Sequence, residues 1–149
     1  MYLCYNIDMY RKHKHDIIIV LALLGFGVSM FLAVSHYLGY LVPCDITHGC
    51  EAVLNSKYSS LLGLPLSVWG VAFFVAVIIS SLLANHYIVW KKLLRVLLGI
   101  GALLALIFLV IQFFVLKKVC QWCFTTDTLT IIMFLWDLNI EHGSQIENV

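Results

Sequence analysis

Three long apolar stretches decide what this chain can become. Residues 17–38, 64–84 and 93–116 each exceed 20 residues and carry almost no charge. A helix rising 1.5 Å per residue needs about 20 apolar residues to cross roughly 30 Å of hydrocarbon. The stretches do not alternate polar and apolar residues, so a spanning β-strand reading has no support. A fourth stretch, 124–138, is too short to cross comfortably, but starting it at Cys120 gives 19 residues. Membrane thickness therefore draws Cys120 and Cys123 into the first turn of a fourth helix, 120–138, at the membrane edge. The expected fold is an all-α integral membrane protein, a bundle of four transmembrane helices in one domain spanning 1–149, with membrane lipid as its solvent.

Composition agrees. Hydrophobic residues make up 62% of the chain and charged residues 11%, whereas a soluble domain has about a quarter of its residues charged. The net charge of +1 leaves no basic stripe for a phosphate backbone, so no nucleic-acid partner is expected. The first stretch follows a charged segment, as in a signal peptide. At 22 residues it is too long for one, and no small-x-small cleavage site follows, so it reads as a retained helix. The polar tail after Asn139 reads as short and frayed.

Lysine and arginine positions orient the bundle. An even number of spans puts both termini on one side, with Arg11, Lys12, Lys14, Lys91, Lys92 and Arg95. Lys57, Lys117 and Lys118 lie on the other side. Six against three places both termini in the cytoplasm. The 39–63 loop and the start of the fourth helix then share the outer face, which brings Cys44, Cys50, Cys120 and Cys123 to one oxidising side. Cys4 stays alone inside, a reduced thiol with no assigned role.

Cys120-Gln-Trp-Cys123 is a C-x-x-C pair opening a helix. At i and i+3 the two side chains lie one turn apart on one face, a separation a disulfide can bridge. Unpaired backbone N–H groups and the positive dipole end stabilise a thiolate there, and Lys117 and Lys118 add positive charge. Cys44 and Cys50, five residues apart in the loop with Gly49 between them, can be brought together by a turn, and a disulfide there would close a small, exposed loop. Two pairs on one face suggest a relay by thiol–disulfide exchange. A structural disulfide and a metal site remain alternatives. Four thiolates could hold zinc, and His48 lends that reading some weight, although a loop histidine is ordinarily just solvated.

The order of these residues resembles a known family. A Cys44-x5-Cys50 pair is followed by Ser56 and by Gly63-Leu-Pro65-Leu-Ser-Val-Trp-Gly70 opening the second helix. Cys120-x-x-Cys123 then opens the last helix. This pattern is similar to the vitamin K epoxide reductase family, and the five-residue gap resembles its bacterial and archaeal members more than the animal enzymes. The resemblance implies a quinone-linked thiol:disulfide oxidoreductase with ubiquinone or menaquinone as electron acceptor, supporting disulfide formation in exported proteins. It implies that Cys44 exchanges with a thioredoxin-like partner, that Cys50 relays to Cys120, and that Cys123 faces the quinone. Ser56, Val53, Leu54, Tyr58, Trp69 and Phe73 fall where the family lines its quinone site, under the outer loop as a cap; ordinary lipid or core packing is the plainer account of the apolar ones. No metal is implied. Where animal members carry a tyrosine after the last cysteine and an asparagine in the second helix, this chain has Asp127 and Leu66, which favours plain quinone reduction over epoxide reduction. Many bacterial relatives append a thioredoxin-like domain. The chain ends at Val149 without one, so the partner is expected to be a separate protein.

Asp127, one turn below Cys123, is a carboxylate inside the bilayer gradient, where ionisation is costly. It is expected either to border the quinone site and carry protons or to hydrogen-bond to its Thr125–Thr130 neighbours and the facing helix. The expected location is the cytoplasmic membrane. Three rival readings use the same cysteines differently. A DsbB-type oxidase shares the chemistry but places its C-x-x-C pair in the first outer loop, the reverse of this order. A heavy-metal transporter or binding protein would use the cysteines as soft ligands that stay reduced. An accessory subunit without chemistry would tolerate replacement of all four.

Overall fold

The computed structural model describes residues 2–40, 42, 50–54, 56–84 and 86–146. Helix α1 runs Tyr2–Leu38, a short helix α2 covers Cys50–Leu54, and a two-residue strand β1, Ser60–Leu61, pairs with β2, Leu64–Pro65. Helix α3 spans Leu66–Ala84, α4 spans Ile88–Val110 and continues as a π-helical turn over Ile111–Leu116, and α5 spans Gln121–Ile146. Among the described residues, His15–Leu38, Leu66–Ala84 and Ile88–Leu116 are long and apolar enough to cross a membrane. Helix α5 has the length but carries Asp127, Asp137 and several threonines, so its composition alone does not mark it.

The helix ends differ from the sequence expectation for a common reason. An apolar run marks the hydrocarbon slab, whereas a helix ends only where its backbone hydrogen bonds end. Thus α1 begins at Tyr2 instead of residue 17, since no proline or glycine interrupts the polar lead-in, and α4 begins at Ile88 instead of 93. Helix α3 begins at Leu66 instead of 64, because Leu64 and Pro65 are taken by the hairpin, in register with Leu61 and Ser60. Helix α5 begins one residue after Cys120 and runs on to Ile146, so the tail expected to fray after Asn139 is helical.

Helices α1 and α4 each pack on both α3 and α5, closing a four-helix ring. Small residues let the helices approach, as packing between membrane helices requires. At Gly25 the ring of Phe74 lies where a β-carbon would stand. Phe74, Ile18, Ala22, Val77, Leu94, Leu98 and Met133 form the buried core, toward the end of the bundle that holds the start of the first span. There Arg95 on α4 pairs with the buried Asp137 on α5 at 3.3 Å.

At the other end the connections are tight. The hairpin turn places Leu62 (φ 56°) and Gly63 (φ 81°) in the left-handed region, as a two-residue turn with both central φ angles positive demands. Ser56 and Ser59 close successive turns back to Val53 and Ser56, and Leu66 N–H donates to the Ser59 carbonyl at 2.7 Å, tying this stretch to the start of α3.

Candidate functional site

Where α4 ends, its hydrogen bonds widen to i→i+5, and Lys117 leaves the helix in a left-handed conformation (φ 49°) with its N–H donating to the Gln112 carbonyl. Lys118 N–H donates to the same carbonyl at 3.2 Å. The chain reverses over four residues and starts α5. Cys120 is the capping residue of that helix: its carbonyl accepts the first helical bond, from Phe124 N–H at 2.8 Å. Its sulfur lies 3.3 Å from the backbone N–H of Cys123, which donates to it. A Ser or Asp at this position would cap with oxygen; here the sulfur does so. Trp122, between the two cysteines, packs its ring on Phe31 of α1 at 5.3 Å, and Phe124 meets Phe113 of the π turn at 6.4 Å.

Gln112 is the hub of this corner. Buried to 3% exposure, it accepts from the backbone N–H of Cys120 at 3.0 Å and donates through Nε2 to Asp127 Oδ2 at 3.4 Å. The sequence reading passed over it. The available signal was a lone amide among apolar residues near the end of the third stretch, since a polar group in hydrocarbon has to find a partner.

The same end of the bundle encloses a cavity of about 660 Å³, within the 300–1,000 Å³ range of small-molecule sites. It is bounded by the C-terminal end of α1, the start of α3, the end of α4 and the first half of α5. All seven residues proposed from sequence to border a ligand line it: Val53, Leu54, Ser56 and Tyr58 from one side, and Trp69, Phe73 and Asp127 from the others. Cys50 and Cys123 line it too, whereas Cys120 lies fully buried behind the wall. Cys50 is disulfide-bonded; Cys120 and Cys123 are free thiols. Cys44 falls outside the described residues, as do His48 and the side chain of Cys4. Among the described residues, no group of three or more His, Cys, Asp or Glu side chains is placed to hold a metal ion.

Several hydroxyls around the cavity are occupied within their own segments. Ser56 donates to the Val53 carbonyl at 2.7 Å, Thr126 to Cys123 at 2.8 Å and Thr130 to Thr126 at 2.9 Å. Such back-bonding satisfies the hydroxyl proton within its own segment. Of the partners expected for Asp127, the facing helix supplies the one found, Gln112, while these threonines bond within their own helix.

A buried sulfur at a helix cap, a second cysteine one turn on, a disulfide-bonded cysteine across an apolar cavity, and membrane-length helices around them form one constellation. No individual curated protein matches the chain. The family model for the vitamin K epoxide reductase family matches residues 16–138, from the start of the first span to the last apolar turn of α5, and the chain belongs to that family of membrane oxidoreductases.

Proposed function

We propose that the protein is a quinone-linked thiol:disulfide oxidoreductase that oxidises a separate thioredoxin-like partner and passes the electrons to ubiquinone or menaquinone. The observation that carries this reading is a single apolar cavity whose wall holds both the disulfide-bonded Cys50 and the free thiol of Cys123. The lining suits a flat, apolar ring: Val53, Leu54, Trp69 and Phe73 give it dispersion contacts, and Tyr58 and Asp127 border it with polar groups. A quinone bound there supplies a two-electron, two-proton acceptor.

The chain's own cysteines do the rest. A partner thiolate attacks Cys44 of a Cys44–Cys50 disulfide and releases Cys50. Cys50 attacks Cys120 of a Cys120–Cys123 disulfide and releases Cys123. The second partner thiol then frees Cys44, which displaces Cys120 from Cys50. The inner pair is left as a dithiol and the partner as a disulfide. Capping geometry supports the last step, since backbone N–H groups stabilise the Cys120 thiolate when Cys44 displaces it from Cys50. A loop disulfide with a free inner pair is, in this reading, the stage at which electrons stand ready for the acceptor. In this reading α5 is the fourth span, both termini are cytoplasmic, and the redox face lies outside the cytoplasmic membrane. Leu66 and Asp127, standing where animal members carry asparagine and tyrosine, favour a plain quinone over the epoxide.

Anaerobic mixing of the purified protein with quinone and a reduced thioredoxin-like protein tests the reading. Quinol is expected to appear in step with partner disulfide, one for one. Partner oxidation without quinol, or stoichiometric metal binding by thiols that stay reduced, would replace it with another chemistry.

A further inference from the structure

We propose that Gln112 is a positioning residue that holds the Asp127 carboxyl in place as the proton carrier between the Cys123 thiol and the acceptor in the cavity. The inference rests on the quinone reading for its acceptor, but its geometry does not. One amide side chain makes two hydrogen bonds in opposite directions: Oε1 accepts from Cys120 N–H at 3.0 Å, and Nε2 donates to Asp127 Oδ2 at 3.4 Å. Because the Cys120 contact fixes which end of the amide is oxygen, the other end must present N–H groups to Asp127. The carboxyl is thereby held from the neighbouring helix, not by its own.

Asp127 is suited to the task by its placement and by its chemistry. It lines the cavity together with Cys123, and at i+4 it lies on the same helix face one turn away. Of the cavity hydroxyls, Ser56, Thr126 and Thr130 each donate to a backbone carbonyl. The other titratable groups on the lining, His36, Tyr40 and Tyr58, are exposed, whereas Asp127 is half-buried beside the free thiol. Moving two electrons from a dithiol to a quinone forms the Cys120–Cys123 disulfide and transfers two protons. Asp127 takes one of them from the Cys123 thiol and gives it to a quinone oxygen, ending in the state in which it began. Nothing beyond dithiol and quinone is consumed.

Two independent readouts test this. In reduced protein without quinone, the infrared carboxyl band that Asp127→Asn removes reports the hydrogen bond from Gln112. Gln112→Glu keeps an acceptor for Cys120 N–H but loses the amide donor to Asp127, so the band is expected to shift. In turnover, Asp127→Asn is expected to lower kcat for quinone about 100-fold, the usual scale for losing a proton-transfer group, with Asp127→Glu recovering part. Gln112→Glu and Gln112→Met are expected to lower it about tenfold through misplacement. The fall in quinone kcat is expected to exceed any fall in the rate at which a small dithiol reduces the Cys120–Cys123 disulfide. A Tm loss in Gln112→Met with an unmoved band in Gln112→Glu and unchanged quinone kcat would make Gln112 a merely structural cap and overturn the proposal. Should the wild type show the band coupling yet reduce no quinone, the proposed function fails while the link between the two side chains stands.

Discussion

A thiol at the start of a helix meets backbone N–H groups that the helix itself leaves unsatisfied, and Cys120 occupies that place. Its sulfur accepts from Cys123 N–H, it is fully buried, and the Gln112 amide secures its backbone. Cys123 differs in facing the cavity. The proposed relay predicts which sulfur the loop can be trapped on. A Cys44→Ala, Cys123→Ala variant retains Cys50 and Cys120 but neither thiol that would displace one from the other. Mild oxidation is expected to give a stable Cys50–Cys120 disulfide, visible by mass spectrometry as a cross-link between loop and α5 peptides. The Cys44→Ala, Cys120→Ala counterpart is expected to give far less. Equal yields would mean that either inner cysteine meets Cys50. The C-x-x-C pair and its helix-opening position were legible because spacing alone puts i and i+3 on one face. Gln112 was not, because its partners come from eight and fifteen residues away and from a turn whose widened pitch has no sequence signature.

At the level of elements, apolar length identified the three spans but blurred their ends. Ile88 and Tyr2 begin helices within polar surroundings, where hydrophobicity is silent and only backbone bonding decides. The 39–63 segment reads as loop by composition, yet it contains α2 and a hairpin whose positive-φ turn at Leu62 and Gly63 departs from the usual Asn-Gly or Gly-Gly chemistry, which hid it. Packing between α1 and α3 was equally invisible. The Phe74 ring against bare backbone at Gly25 is a contact between residues 49 apart. Gly25→Ala is expected to cost about 1–3 kcal/mol by overpacking, read as a lower Tm in detergent. Shrinking the opposing ring in a Gly25→Ala, Phe74→Leu double variant is expected to destabilise less than the two single effects added together. Strict additivity would show that the helices part freely there.

For the whole molecule, the ring of four helices gathers the end of α1, the start of α3, the end of α4 and the start of α5 around one cavity. In the proposed topology, drawn from the distribution of basic residues, that end lies outside the cell. An impermeant thiol reagent added to intact cells after mild reduction is therefore expected to modify Cys44 first, with the buried Cys50 and Cys120 following only on loosening, and to leave Cys4 untouched. Labelling of Cys4 alone would invert the protein and put its chemistry in a reducing compartment. The widened turn at Ile111–Leu116 has a consequence of a different kind. A turn of this sort holds one residue more than an α-helix needs, and each residue of an α-helix turns its successors by about 100°. In-frame loss of a single codon among 113–116 would let α4 close into regular pitch. The Lys117 N–H would then meet the Gln112 carbonyl as an ordinary i→i+4 bond, and the chain beyond it would keep its phase. A library of one-codon deletions along α4 would therefore find 113–116 more forgiving than the regular turns before it, where each loss swings the chain beyond by about 100°.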